Sequence, residues 1–297
     1  MRNGTYSIVA CDPESGELGV AVQSHWFSVG SVVTWARPGV GAAATQSIAE
    51  PAHGPHMLDA LVEGRDAPSA IARVLERDEL AEYRQLGLVD AAGNAASFTG
   101  PDCIVHAGDV VGPNFACQAN MMASEGVPEA MAGAYRAAEG DLAERLLVAL
   151  EAAEDAGGDV RGRQSAALRV VPAVGERWRA RFDVRVEDSP EPLVEIRRLV
   201  RLARAYEMAG AADELLAAGD QGQANALYTQ AAEMAPESDE LIFWAGVGIA
   251  GQDIERGLEL VRGAIAVNGG WELLLRRLPA ELAPSAQALA QALDVQP

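Results

Sequence analysis

What most limits the fold of this chain is the order of strand-length and helix-length runs between residues 5 and 188. Thr5-Tyr-Ser-Ile-Val-Ala10 is β-branched and apolar, and Leu18-Gly-Val-Ala-Val-Gln-Ser-His25 returns after a turn. Asp12-Pro13 and Ser15-Gly16 at the bend make the pair a hairpin. Residues 39–47, Gly-Val-Gly-Ala-Ala-Ala-Thr-Gln-Ser, read as a buried strand whose small side chains let another backbone come close. Two helices are predicted next. Met57, Leu58, Leu61 and Val62 recur at helical spacing up to Gly64. Asp66 caps the second helix, Pro68 sits in its first turn, and Ile71, Val74 and Leu75 form its inner face.

The alternation then repeats. Leu86–Asp90 and Ala95–Thr99 form a hairpin about Ala91-Ala-Gly-Asn94, and short strands are expected around Cys103–His106 and Phe115–Gln118. Helices over about Pro128–Ala138 and Asp141–Ala156 follow, the second closed by Gly157-Gly158. Strands Ser165–Val171 and Phe182–Val186 end the run. Strands separated twice by a helix pair predict an α+β domain in four αββα layers, with two antiparallel sheets face to face and two helices outside each.

Glu187-Asp-Ser-Pro-Glu-Pro192 reads as a linker. The expected division is 1–188, a linker at 189–192, and a small all-α domain over 193–297. Ala224, Tyr228, Ala231 and Pro236 are answered 33 residues later by Gly257, Val261, Ala264 and Gly269. That spacing is tetratricopeptide-like, with a repeat of about 34 residues. Fewer than three repeats are present, so Leu193–Pro297 is expected to depend on the first domain or on a second subunit. Glu233, Glu237, Asp239 and Glu240 at one turn point to a protein partner, and a homo-oligomer is expected.

Charge and composition exclude several functions. The net charge is −20 over 297 residues, and every basic charge is arginine. An acidic chain is a poor match for nucleic acid or an anionic membrane. Without lysine there is no Schiff base, P-loop lysine or lysine base. Cys11, Cys103 and Cys117 are unpaired by spacing and suit a reducing, cytoplasmic setting. Neither a signal peptide nor an apolar run of about 18 residues is legible. His53 and His56 lack the further ligands of a zinc shell, and no dinucleotide fingerprint is present, so no metal or cofactor is expected.

Thr5, directly after Gly4, carries the chemical interest. A threonine at a chain start can use its own amine as the base for its hydroxyl. That amine titrates near 7.7–8.0. Backbone N–H groups near Thr45, Gln46 and Ser47 are candidates for an oxyanion hole. His25, next to Ser24 at the end of the second strand, can serve as acid or base near neutral pH. Asn120 offers an amide to orient an amine or a carbonyl. Asp159, Arg161, Gln164 and Ser165 form the richest polar cluster, and Arg161 suits a carboxylate. A free amine on Thr5 requires cleavage after Gly4.

The motifs Thr-Tyr-Ser-Ile-Val-Ala (5–10), Gly-Glu-Leu-Gly-Val-Ala-Val (16–22), Ala-Thr-Gln (44–46), Gly-Pro (54–55), Gln-Ala-Asn (118–120) and Gly-Asp-Val-Arg-Gly-Arg-Gln-Ser-Ala-Ala-Leu (158–168) carry a resemblance. Over about Thr5 to Asp188 the chain resembles a bacterial family, domain of unknown function ten-twenty-eight, grouped with the N-terminal-nucleophile (Ntn) hydrolases. The family's usual Gln-Gly-Asn is Gln-Ala-Asn here, with Ala119 for glycine. The resemblance implies Thr5 as nucleophile, Gln46 and Ser47 at the oxyanion position, and Asp159 and Ser165 holding the amine with Asn120. It places Ser24, His25, Arg161 and Gln164 toward the substrate. The lysine that proteasome-like members set beside the threonine is absent. The expected function is hydrolysis of an amide in a small or peptide-like substrate. The alternatives are an inactive Ntn-fold scaffold, or an enzyme using another nucleophile such as Ser24.

Overall fold

The structure, a computed structural model, describes residues 4–295. It divides into two compact units, Met1–Arg198 and Leu199–Pro297. The first contains β1 (Thr5–Cys11), β2 (Leu18–Ser24), α1 (Gly30–Val33), β3 (Thr34–Arg37), β4 (Gly41–Ser47), α2 (His53–Val62), α3 (Ala67–Leu75), β5 (Arg84–Asp90), β6 (Ala95–Thr99), β7 (Gly108–Gly112), β8 (Phe115–Asn120), α4 (Val127–Ala137), α5 (Leu142–Asp155), β9 (Ser165–Val171) and β10 (Phe182–Val186). One sheet has six strands in the order β10-β9-β2-β1-β8-β7, the other four in the order β3-β4-β5-β6. Every strand pair is antiparallel.

The two sheets lie face to face, with α4 and α5 against the six-stranded sheet and α2 and α3 against the four-stranded one. The layers follow from alternation along each strand. Val9 and Cys11 of β1 and Val20 and Val22 of β2 point between the sheets, where they meet Ala42, Ala44 and Val89. The alternate residues, among them Ala43, Leu86 and Leu88, face α2 and α3 and meet Met57, Leu58 and Ile71. A fully buried valine of this kind contributes about 1.5–3 kcal/mol. Asp66 caps α3 by accepting from the Ser69 N–H at 2.8 Å, and Asp141 caps α5 through the Glu144 N–H at 3.0 Å. Under the four-stranded sheet, Asp78 pairs with Arg84 Nε at 2.7 Å and lies 2.6 Å from His53 Nε2, so His53 is taken up by the Asp78–Arg84 pair.

Two expectations change, and one stretch that carried no expectation is structured. Cys103–His106 is not a strand; β7 begins at Gly108, because the turn at Gly112-Pro-Asn114 fixes the register Gly112↔Phe115. Residues 26–38 carry α1 and β3, and β3 pairs along its whole length with β4. Val62, grouped with the apolar face of α2, is 61% exposed.

The division between units falls inside α6 (Pro192–Ala217), so Pro192 starts a helix rather than closing a linker. The helical unit continues with α7 (Gln221–Met234), α8 (Asp239–Ile249), α9 (Ile254–Val267), α10 (Gly270–Leu275) and α11 (Ala286–Val295). Ala224, Tyr228 and Ala231 form the buried face of α7, and Gly257, Val261 and Ala264 that of α9. α8 and α9 touch backbone to backbone: a Cβ on Gly257 would come 2.7 Å from the Gly246 carbonyl oxygen. No described helix is long and apolar enough to cross a membrane.

Candidate active site

Four strands of the six-stranded sheet end in one polar row. Thr5 lies opposite Ser24 on one side and Asn120 on the other, and Ser24 lies opposite Ser165. Each of the four is at most 1% exposed. Because Thr5 shares a strand face with Val9 and Cys11, its side chain points between the sheets. The Thr5 hydroxyl donates to Ser24 Oγ at 3.1 Å, and the Ser24 hydroxyl donates to the carbonyl oxygen of Gly4. Arg161 Nη2 donates to that same oxygen at 2.9 Å. The carbonyl of the Gly4–Thr5 peptide bond therefore has two donors, one cationic, and one of them is bonded to the neighbouring hydroxyl.

Arg161 is placed by the loop after α5. Gly157 and Gly158 take φ of 120° and 57°, a left-handed turn that side chains resist, and they send the chain back along β8. There Asp159 bridges to Met122, and Val160 N donates to the Met121 carbonyl at 3.2 Å. The Asp159 carboxylate, with no solvent exposure, accepts from His25 N at 3.0 Å, Arg161 N at 2.9 Å, Arg161 Nε at 3.1 Å and Arg161 Nη2 at 2.8 Å. A buried carboxylate is tolerable only with such pairing. It also lies against Gly4, where a Cβ would come 2.7 Å from Oδ1.

On the other side, the carbonyl of Thr5 accepts from Gln46 Nε2 at 3.3 Å and Asn120 Nδ2 at 3.4 Å. Both amides are aimed by Gln85, whose Oε1 accepts from Gln46 at 2.8 Å and from Asn120 at 2.9 Å. Gln85 Nε2 is fixed in turn by Thr99 Oγ1 at 2.9 Å and by the carbonyls of Ala119 and Gly108. The Ser7 hydroxyl donates to Gln118 Oε1 at 2.9 Å. Sequence reading missed Gln85, Gln118 and Ser7. For Ser7 and Gln118 the available signal was a hydroxyl or amide within an otherwise apolar strand.

The remaining candidates divide. Gln46 meets Thr5 through its side chain, while its backbone is opposite Gln85 in the β4–β5 ladder. Ser47, with φ of 72°, ends β4 opposite Arg84 and bonds to the thiol of Cys103. Ser165 accepts from Val29 N at 3.0 Å and donates to the Trp26 carbonyl, pinning the segment after β2. His25 contributes its backbone N–H, and its ring Nδ1 is buried without a partner. Gln164 is at the surface, bonded to Asp188 at 3.0 Å. Burial raises the thiol pKa of Cys11, Cys103 and Cys117, which disfavours a thiolate at all three.

A model of a family described as of unknown function, DUF1028, matches residues 5–196. The chain belongs to the DUF1028 family. Among solved structures it is similar to the crystal structure of protein SPO2555 from Silicibacter pomeroyi, described as of the same family, DUF1028. The two are 32% identical, with 67% of this chain and 86% of that one covered and a TM-score of 0.62. No curated protein matches. The DUF1028 match takes in the whole polar row, from Thr5 to Ser165, and ends within α6.

Proposed function

We propose that this DUF1028 protein is an Ntn-type amide hydrolase whose nucleophile is Thr5, and that it exposes Thr5 by cutting its own Gly4–Thr5 bond. The observation that carries the reading is the pair of donors on the Gly4 carbonyl, Ser24 Oγ and Arg161 Nη2, beside the Thr5 hydroxyl. Donors already aimed at the oxygen where charge develops are worth several kcal/mol to acyl transfer. Thr5 Oγ1 attacks the Gly4 carbonyl carbon, and negative charge builds on the oxygen between Ser24 and Arg161. The C–N bond breaks, the hydroxyl proton ends on the departing Thr5 nitrogen, and an ester remains. Water hydrolyses that ester, leaving Thr5 with a free amine and a free hydroxyl.

The same groups then serve a small or peptide-like amide. The amine takes the hydroxyl proton, Ser24 and Arg161 receive the oxyanion, and Gln46 and Asn120 keep Thr5 in place through its own carbonyl. Intact-mass measurement of the purified protein tests the first step. Loss of residues 1–4 in the wild type, absent in Thr5→Ala, is expected; a fully active preparation that keeps its first four residues sinks the mechanism.

One observation favours a second reading. Thr5 is fully buried in the uncut chain, as suits a binding protein that kept the fold and lost its chemistry. A threonine-directed β-lactone separates the two, since only a matured nucleophile becomes acylated. We further propose that the protein is a cytoplasmic homo-oligomer, and that the tetratricopeptide-like helical unit meets a protein partner, on the 33-residue recurrence of its buried small residues.

A further inference from the structure

We infer that the acyl group of the substrate has an unsubstituted α-carbon, so that the enzyme cleaves glycyl or straight-chain acyl amides and rejects L-aminoacyl amides that carry a side chain. The inference rests on the Thr5 reading: if one hydroxyl cuts both its own precursor and the substrate, both acyl groups pass through an ester of Thr5 Oγ1, with the acyl oxygen taken by the donors that hold the Gly4 carbonyl. Those donors are Ser24 Oγ and, at 2.9 Å, Arg161 Nη2. The next atom outward, the α-carbon, lies under the Asp159 carboxylate. A Cβ in the L configuration would come 2.7 Å from Oδ1 and 2.9 Å from both Cγ and Oδ2. Carbon and its non-bonded neighbours rest near 3.5–4.0 Å.

Relief is not easily found. A carboxylate at the tip of a free side chain would swing aside, but this one has no exposed surface. It is held by Arg161 Nε and Nη2 and by two backbone N–H groups, those of His25 and Arg161. Moving it breaks the ion pair that also aims Arg161 at the carbonyl. Moving the acyl group instead takes its oxygen off the donors that stabilise the transition state. Either adjustment is paid in rate, and one methyl is enough to separate accepted from rejected acyl groups.

The test uses wild-type protein whose first residue, by intact mass, is Thr5, with kcat/KM measured for glycyl-, butyryl- and L-alanyl-p-nitroanilide. L-alanyl turnover is expected about 10–200-fold below glycyl, the range for one methylene-sized change in a fitted pocket. Comparable butyryl and glycyl rates mark a site for simple acyl chains, and a glycyl-only enzyme marks a peptide site; both keep the inference. L-alanyl turnover equal to glycyl overturns it while leaving Thr5 as nucleophile. Self-cleavage of Gly4→Ala gives an independent readout: it is expected at least about tenfold slower than wild type. If no anilide is turned over, an unchanged Gly4→Ala rate overturns the inference. Failure of the β-lactone to label Thr5, with no turnover and no self-cleavage, removes the Thr5 reading and the inference with it.

Discussion

Two carboxylates make opposite demands on the chain. Asp159 is fully enclosed, and its charge is offset by Arg161 and two backbone N–H groups. Asp159→Asn keeps the shape, but it removes the counter-charge of a guanidinium that is itself 27% exposed. Breaking a buried pair costs about 3–5 kcal/mol, and the exposure of Arg161 brings the expectation to about 2–3. Urea unfolding at pH 7 measures it, and a loss below about 0.5 kcal/mol would contradict this account. Asp78 is the test in pH. Its hydrogen bond with Arg84 is the largest cause holding its carboxyl well below the ordinary carboxylate range, against an opposing push from burial. A carboxyl whose pKa is lower folded than unfolded adds stability above about pH 4–5, and that stability is lost as pH falls toward the folded value. The wild type should thus lose stability faster than Asp78→Asn between about pH 5 and pH 2, although the variant is the less stable at pH 7. Parallel acid limbs for the two proteins would show that Asp78 does not couple to folding.

At the scale of elements, the close approach of the two sheets depends on glycine in β5. A Cβ on Gly87 would meet the Gln118 amide at 2.3 Å from Nε2, and Gln118 has nowhere to retreat because it is fully buried and holds the Ser7 hydroxyl. Overpacking of this kind costs about 1–3 kcal/mol, so Gly87→Ala should lower Tm by several degrees. An unchanged melting curve would mean that the amide layer is loose. The same layer marks where sequence stopped being informative. β1, β2, β5, β6, α3, α4 and α5 have local signals, namely alternation, caps and turn residues, and these place them within a residue or two, whereas α2 starts at His53, four residues before the apolar spacing begins. β3 has four residues and no turn signal ahead of it, and β7 is hidden beside the apolar Ile104-Val105, which the chain leaves outside any strand. The row Thr5–Ser24–Asn120–Ser165 is a matter of register between strands far apart in sequence, which no local pattern encodes. Asp159 and Arg161 were legible as a polar cluster, whereas Gln85 was not: a single amide in Arg-Gln-Leu-Gly-Leu resembles a solvent-facing position.

For the whole molecule, the question is which way salt acts on a chain of net charge −20. Screening weakens both attraction and repulsion, so the outcome depends on which is larger. The exposed pairs, such as Arg201–Glu237 at 2.7 Å and Arg256–Glu259, are each worth about 0–1 kcal/mol. The enclosed pairs, Asp78–Arg84 and Asp159–Arg161, are shielded from ions and change little. What remains is the surplus of carboxylates, which repel one another in the compact state and are spread farther apart in the unfolded chain. The Debye length falls from about 30 Å at 0.01 M to about 3 Å at 1 M, enough to remove most of that repulsion. Repulsion should therefore win, and Tm at pH 7 should rise by several degrees between about 0.01 M and 0.5 M sodium chloride. The gain should shrink as the pH approaches the isoelectric point near 4.5, where little surplus charge remains to be screened. A Tm that falls with added salt at pH 7 would mean that the surface arginine pairs, not the excess of acid, set the electrostatic balance of this protein.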